Sequence, residues 1–173
     1  MIALGEFQKL IVLRRTPNGV YLTDDSGEEV LLPNKYIPEG LELEDQLSVF
    51  VYTDSEDRPI ATTLSPHLIL GEFNYLKVKD VNAIGAFMDW GLEKDLLIPF
   101  KNQRRTMQSG EWHCVYLYLD LDTDRLVGTA KINQFLKESP EDLKTGTAVE
   151  ILVCERTDLG VNVIINQSFK GLF

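Results

Sequence analysis

Short alternating runs of apolar and polar residues, each bounded by turn residues, fill most of this chain. A two-residue period argues for half-buried strands, because successive side chains of a strand point to opposite faces. The runs predict strands near 7–14, 18–23, 28–32, 47–53 and 59–63, and again near 73–80, 84–90, 95–98, 113–119 and 125–130. Pro33, Pro38 and Pro99 interrupt them, since proline cannot donate to a ladder. "NKYIPEG" and "FKNQRRTMQSG" therefore read as loops with room for one helical turn, and "INQFLK", 132–137, as a short helix. "LSPHLIL" and "KESPEDLKTG" read as junctions.

The two sets of strands are one pattern written twice at an offset of 66. Gly5-Glu6-Phe7 falls on Gly71-Glu72-Phe73, Gly19 on Gly85, Leu31 on Leu97, Pro33 on Pro99, Val49 on Val115, Asp54 on Asp120 and Thr63 on Thr129. A third copy starts near Gly146, with a strand, a turn at Gly160, a second strand and a third starting at Phe169. The expected domains are 1–66, 67–144 and 145–173, the last an incomplete unit whose natural sequence continues past Phe173. Ile151, Val153, Val161, Val163 and Ile165 need a covering surface. The tail is therefore expected to pack on the second unit, or to exchange strands with another copy and so promote self-association.

Five short strands in about 60 residues point to an all-β fold of small closed barrels, which remove exposed edges. The five-stranded OB-fold fits the count and length, with an SH3-like barrel as the rival. In 85–90 the alternation puts Ala86 and Met88 on one face, suited to the core, and Phe87 and Asp89 on the other. In "HCVYLYLD", Cys114, Tyr116 and Tyr118 share one face, opposite Val115, Leu117 and Leu119. Trp90 and Trp112 read as buried at barrel ends or domain junctions.

Charge changes the picture unevenly. The whole chain carries −10, with 17 Lys+Arg against 27 Asp+Glu. Residues 1–66 carry 5 against 12, residues 67–137 carry 9 against 9, and residues 138–173 carry 3 against 6. The first part should repel phosphate; the middle need not. No apolar run approaches the roughly 20 residues of a membrane-spanning helix, and the N-terminus lacks a secretory pattern, so no membrane association and a cytoplasmic location are expected. Cys114 and Cys154 read as buried thiols, with a disulfide or reactive role as the alternative. No metal site, cofactor motif or catalytic constellation is evident, so an enzyme is not expected.

"GAFMDWGLEKDLLIP", 85–99, and "YLDLDTDRLVGTAK", 118–131, resemble the signature of the S1-type RNA-binding domain, an OB-fold. Gly85, Phe87, Asp120, Arg125 and Lys131 match its motif; Ile98 stands where many members have His, and Tyr21 replaces Phe87 in the first copy. The tandem arrangement resembles the conserved virulence factor B (CvfB) family of bacterial proteins. That resemblance covers the whole chain and implies RNA binding and gene regulation. The expected partner is single-stranded RNA, bound weakly. It would stack on Phe87, Tyr116 and Tyr118, with backbone contacts from Lys101, Arg104, Arg105, Arg125 and Lys131. The alternatives are Phe87 as a core or interdomain contact, Tyr116 and Tyr118 as strand packing, and "NQRR" as a solvated loop. The rival function is a protein-interaction scaffold whose acidic first unit docks a basic partner.

Overall fold

The structure, a computed structural model, describes residues 1–138 and 143–173. In chain order the strands are β1 (Phe7–Thr16), β2 (Gly19–Thr23), β3 (Glu29–Pro33), β4 (Gln46–Thr53), β5 (Pro59–Thr62), β6 (Phe73–Val81), β7 (Gly85–Asp89), β8 (Leu96–Pro99), β9 (Trp112–Asp120), β10 (Arg125–Thr129), β11 (Ile151–Thr157), β12 (Gly160–Ile165) and β13 (Phe169–Leu172). Single 3₁₀ turns follow Pro33 and Pro99 and occupy Ile132–Phe135. Part of the expected junction at 137–146 lies outside the described residues.

The first five strands form a closed barrel in the order β1-β2-β3-β5-β4, with a parallel closure at Leu31 and Ile60. The next five repeat that order as β10-β9-β6-β7-β8. At the β8–β10 seam Gly128 leaves room for bulky neighbours: a Cβ there would lie 2.1 Å from Ile98 Cδ1. Each barrel is filled by the inward half of its alternations. Leu10, Val12, Val20, Leu22, Val30 and Leu32 fill the first; Leu76, Val78, Ala86, Met88, Ile98, Val115 and Leu117 fill the second. These are tandem OB-fold barrels, as the repeat implied.

Local features recur with the offset. β1 bulges between Val12 and Arg14, and β6 between Val78 and Asp80. Gly19 and Gly85 each open a strand where a Cβ would lie 2.1 Å or 2.4 Å from the carbonyl oxygen of Leu32 or Ile98. The last three strands form a separate sheet, β11-β12-β13, with the same two devices. β11 bulges between Val153 and Glu155, and a Cβ on Gly160 would lie 2.2 Å from the Phe173 carbonyl oxygen.

The chain divides into two compact units. The first comprises Met1–Leu70, Trp90–Asp95 and Leu119–Leu126; the second comprises Gly71–Asp89, Leu96–Tyr118 and Val127–Phe173. In the first, Trp90 is buried, with Phe50 and Tyr52 at 5.9 and 6.3 Å between ring centroids. In the second, Ile164 is buried with Phe73 and Cys114, and Leu152, Cys154 and Phe135 pack around them.

Candidate nucleic-acid interface

The second unit carries an aromatic pair on the outer surface of its barrel. Tyr75 on β6 faces Cys114 across the ladder, and Lys77 faces Trp112 on β9. Tyr75 and Trp112 are thus diagonal neighbours on one face, within reach of aromatic side chains. Their rings stack at 5.7 Å with 21° between planes. They are 40% and 52% exposed, which places Trp112 on the surface rather than buried at a barrel end or domain junction as expected. Its face follows from its parity: Trp112 alternates in step with Cys114, Tyr116 and Tyr118.

The loop after β8 brings two arginines to the same side. Its amides point inward: Gln103 Nε2 donates to the Ile98 carbonyl at 3.0 Å, and its Oε1 accepts from the Met107 N–H at 2.9 Å. Asn102 Nδ2 donates to the Tyr118 hydroxyl at 2.8 Å and to the Gly128 carbonyl at 3.0 Å. Both amides are buried, so Arg104 and Arg105 project from an anchored loop. They line a cleft of about 650 Å³ with Tyr75, Trp112, Arg156 of β11 and Lys170 of β13. Glu155, the acidic residue lining the cleft, is ion-paired with Arg104 at 3.4 Å. His113, which also lines the cleft, hydrogen-bonds Glu111 at 2.8 Å and holds that carboxyl below the usual range.

The other expected site residues divide. Phe87 is half-buried on the outer face of β7, opposite Asp80 and Leu97. Asp89, two residues on, pairs with Lys77, the neighbour of Trp112. Phe87 therefore shares the outer face with the aromatic pair, a strand further along. Tyr116 stacks on Phe135 at 4.0 Å, and Tyr118 lies 6.1 Å from the same ring. Both rings thus lie against the turn at Ile132–Phe135. Arg125 belongs to the first unit, where it is ion-paired with Asp57. Lys101 and Lys131 are exposed. Among residues absent from the sequence-based site, Tyr75 and Trp112 were signalled by strand parity. Arg156 and Lys170 depended on where the C-terminal sheet packs.

The first unit carries no such arrangement. At an offset of 66, Lys9 stands for Tyr75, Gln46 for Trp112, Pro38 for Arg104 and Glu39 for Arg105. Tyr21, the counterpart of Phe87, has Arg14 3.9 Å above its ring, and Arg14 is ion-paired with Glu29 at 2.7 Å.

A family model described as S1 domain matches residues 4–64 and 70–131. This chain belongs to the S1 domain family. Its tandem S1 arrangement is that of the CvfB type. Over 95% of its length it is 36% identical to uncharacterized protein YitL of Bacillus subtilis, covering 55% of that protein. It is 26% identical to conserved virulence factor B of Staphylococcus saprophyticus, over 96% of this chain and 59% of that protein. The chain thus spans little more than half the length of these relatives. A crystal structure of a multidomain protein with nucleic acid binding domains from Streptococcus pneumoniae TIGR4 shares the fold. Its TM-score is 0.65 at 18% identity, over 98% of this chain and 61% of that one. No helix among the described residues is long and apolar enough to cross a membrane. Nor do those residues include a group of three or more His, Cys, Asp or Glu able to hold a metal ion.

Proposed function

We propose that this chain binds single-stranded RNA through its second unit, in the cleft beside Tyr75 and Trp112, as a regulatory protein that binds without catalysis. The observation that carries this reading is the exposed Tyr75–Trp112 stack, set in a cleft with four cationic side chains and one carboxylate. Stacking platforms flanked by cations suit single strands, because every base offers a π-face and every nucleotide a phosphate. The S1 family membership and the nucleic-acid-binding description of the pneumococcal neighbour support it. Arg104 and Arg105 keep the phosphate role expected of them. Phe87 is a stacking position further along the same face, and Lys101 and Lys131 are outlying phosphate contacts.

In this reading the acidic first unit repels phosphate and leaves binding to the second. The C-terminal sheet repeats the first strands of an S1-like unit. Its exposed Ile151 and Val153 support self-association through those strands, which sedimentation at rising concentration checks. The functional test is a titration with short labelled single-stranded RNAs at several salt concentrations. Binding that weakens as salt rises supports the reading; absent or salt-insensitive binding overturns it.

A further inference from the structure

Two thiols meet at the floor of the cleft. Cys114 on β9 is buried, Cys154 at the bulge of β11 is half-buried, and both line the cleft. Their Sγ atoms lie 2.9 Å apart although 40 positions separate them in sequence. Both are free thiols. Phe73, Ile164 and Leu136 pack around them, and Arg104, Arg105, Glu155 and Arg156 line the same cleft. The Cys114 S–H favours the Cys154 thiolate beside it and holds that thiol below its usual range, against burial and the neighbouring Glu155 carboxylate. The bulge itself does not require cysteine: at the equivalent positions of β1 and β6 stand Leu13 and Lys79, both exposed. A disulfide has its sulfurs about 2 Å apart, so the pair is within about 1 Å of bonding distance.

We propose that Cys114 and Cys154 are a site of reversible oxidation, where a disulfide ties the C-terminal sheet to the second barrel across the floor of the cleft. The co-reactant is a low-molecular-weight disulfide. Cys154, the more open member, attacks one of its sulfurs as the thiolate; a mixed disulfide forms and one small thiol leaves. Cys114, having released its proton, then attacks Cys154 Sγ and expels the second small thiol. Two electrons pass to the oxidant, the two protein protons end on the two released thiols, and one S–S bond replaces another. Reduction by excess small thiol reverses both steps. The bond closes a loop between β9 and β11 and adds a covalent tie to the hydrogen bonds that Gln167 makes with the Phe73 backbone, so it holds β11–β13 against the barrel. The consequence for ligand binding rests on the RNA reading above: Arg156 and Lys170 come from the tied sheet, and fixing them lowers the ordering cost of binding.

The test equilibrates the full chain in glutathione buffers of graded oxidised-to-reduced ratio, alkylates the remaining thiols and maps peptides by mass. Amide exchange over 151–172 is followed in parallel. The expected result is a Cys114–Cys154 cross-link that reduced glutathione removes, with exchange in β11–β13 slowed at least about 10-fold in the cross-linked state. Cys114→Ser should stop at the mixed disulfide on Cys154, and Cys154→Ser should leave Cys114 unmodified; both should keep the exchange pattern of the reduced parent. Thiols that stay fully alkylatable in the most oxidising buffer overturn the proposal, and so does a cross-link that leaves exchange unchanged. RNA affinity is measured on both forms. If neither binds RNA while the cross-link and its protection appear, the RNA reading fails and the thiol site stands. If the chain binds RNA but no cross-link forms, the reverse holds.

Discussion

Charge and stacking leave different signatures, and the cleft separates them onto different residues. Arg104, Arg105, Arg156 and Lys170 supply four cationic contacts. Each phosphate neutralised on a single strand contributes a slope of about −0.7 to log K against log salt, so four give about −3. Affinity should then fall about 50-fold between about 50 and about 200 mM salt. Replacing all four by Gln should remove about 3 from the slope and leave only what the outlying Lys101 and Lys131 contribute, and each single replacement should change it by about 0.7. Trp112→Ala removes a π-face and no charge. It should weaken binding about 5- to 150-fold, the equivalent of about 1–3 kcal/mol of stacking, and leave the slope where it was.

The Arg104–Glu155 pair supplies a third arm of opposite sign. At 3.4 Å, with both side chains about half exposed, the pair is solvent-screened, and its disruption costs little. Glu155→Gln releases Arg104 and removes a charge that repels phosphate, so it should tighten binding by about 1.5- to 5-fold. The assay is fluorescence anisotropy with a labelled single-stranded RNA at four or five salt concentrations. Thermal melts show that each exposed-site variant is folded. Equal slopes for the parent and the fourfold Gln variant, or a Trp112→Ala loss that comes with a flattened slope, would refute the assignment of charge and stacking to these residues.

Gly85→Ala should destabilise the chain by roughly 3 kcal/mol in urea unfolding, because its Cβ would sit 2.4 Å from the Ile98 carbonyl oxygen; a loss under about 1 kcal/mol would show that β7 and β8 can separate freely. Asn102→Ala leaves the Gly128 carbonyl without its side-chain donor and frees the Arg104–Arg105 loop, so it should cost about 1–3 kcal/mol and weaken RNA binding as well. Burial pushes the Tyr52 hydroxyl up to about 12. The unfolded chain ionises first, near pH 10, so the stability that neutral Tyr52 contributes is full below about pH 10 and lost as pH rises towards 12. Melts of Tyr52→Phe should therefore show a flatter decline over that window than the parent; parallel declines would contradict it.

The strands were legible because alternation is local. Ala86 and Met88 are fully buried and Asp89 is exposed, as parity alone required, and Pro33 and Pro99 close their strands. The site was legible where it depended on strand face or loop chemistry, as for Arg104 and Arg105. It was obscured where it depended on what covers a face. Tyr116 and Tyr118 have the parity of surface residues, but the turn at Ile132–Phe135 lays Phe135 over them. Arg125 carries a family motif position, yet its carboxylate partner is Asp57, 68 positions away, and no local pattern announces that pairing. Trp112, expected at a barrel end or domain junction, has the parity of Cys114, Tyr116 and Tyr118 and stands 52% exposed.

The repeat explains why one scaffold can carry two different surfaces. The inward residues of both barrels are interchangeable apolar groups, held by shared devices: the bulges at Leu13 and Lys79, and the glycines at 19 and 85 whose missing Cβ lets β2 and β3, or β7 and β8, close up. None of these devices constrains the outward half of the alternation. Lys9 can become Tyr75, Gln46 can become Trp112, and Pro38-Glu39 can become Arg104-Arg105 without touching the core. The C-terminal sheet shares the bulge and the close glycine. Its bulge position holds Cys154, and its Ile164 is buried beside Phe73 and Cys114 of the second unit. An alternation that builds a barrel wall twice thus presents its outward residues a third time to a neighbouring barrel. Those contacts set Arg156 and Lys170 beside Arg104 and Arg105. On this argument the cleft belongs to no single repeat. Removing the C-terminal sheet would take away two of its four cations and leave the Tyr75–Trp112 stack intact.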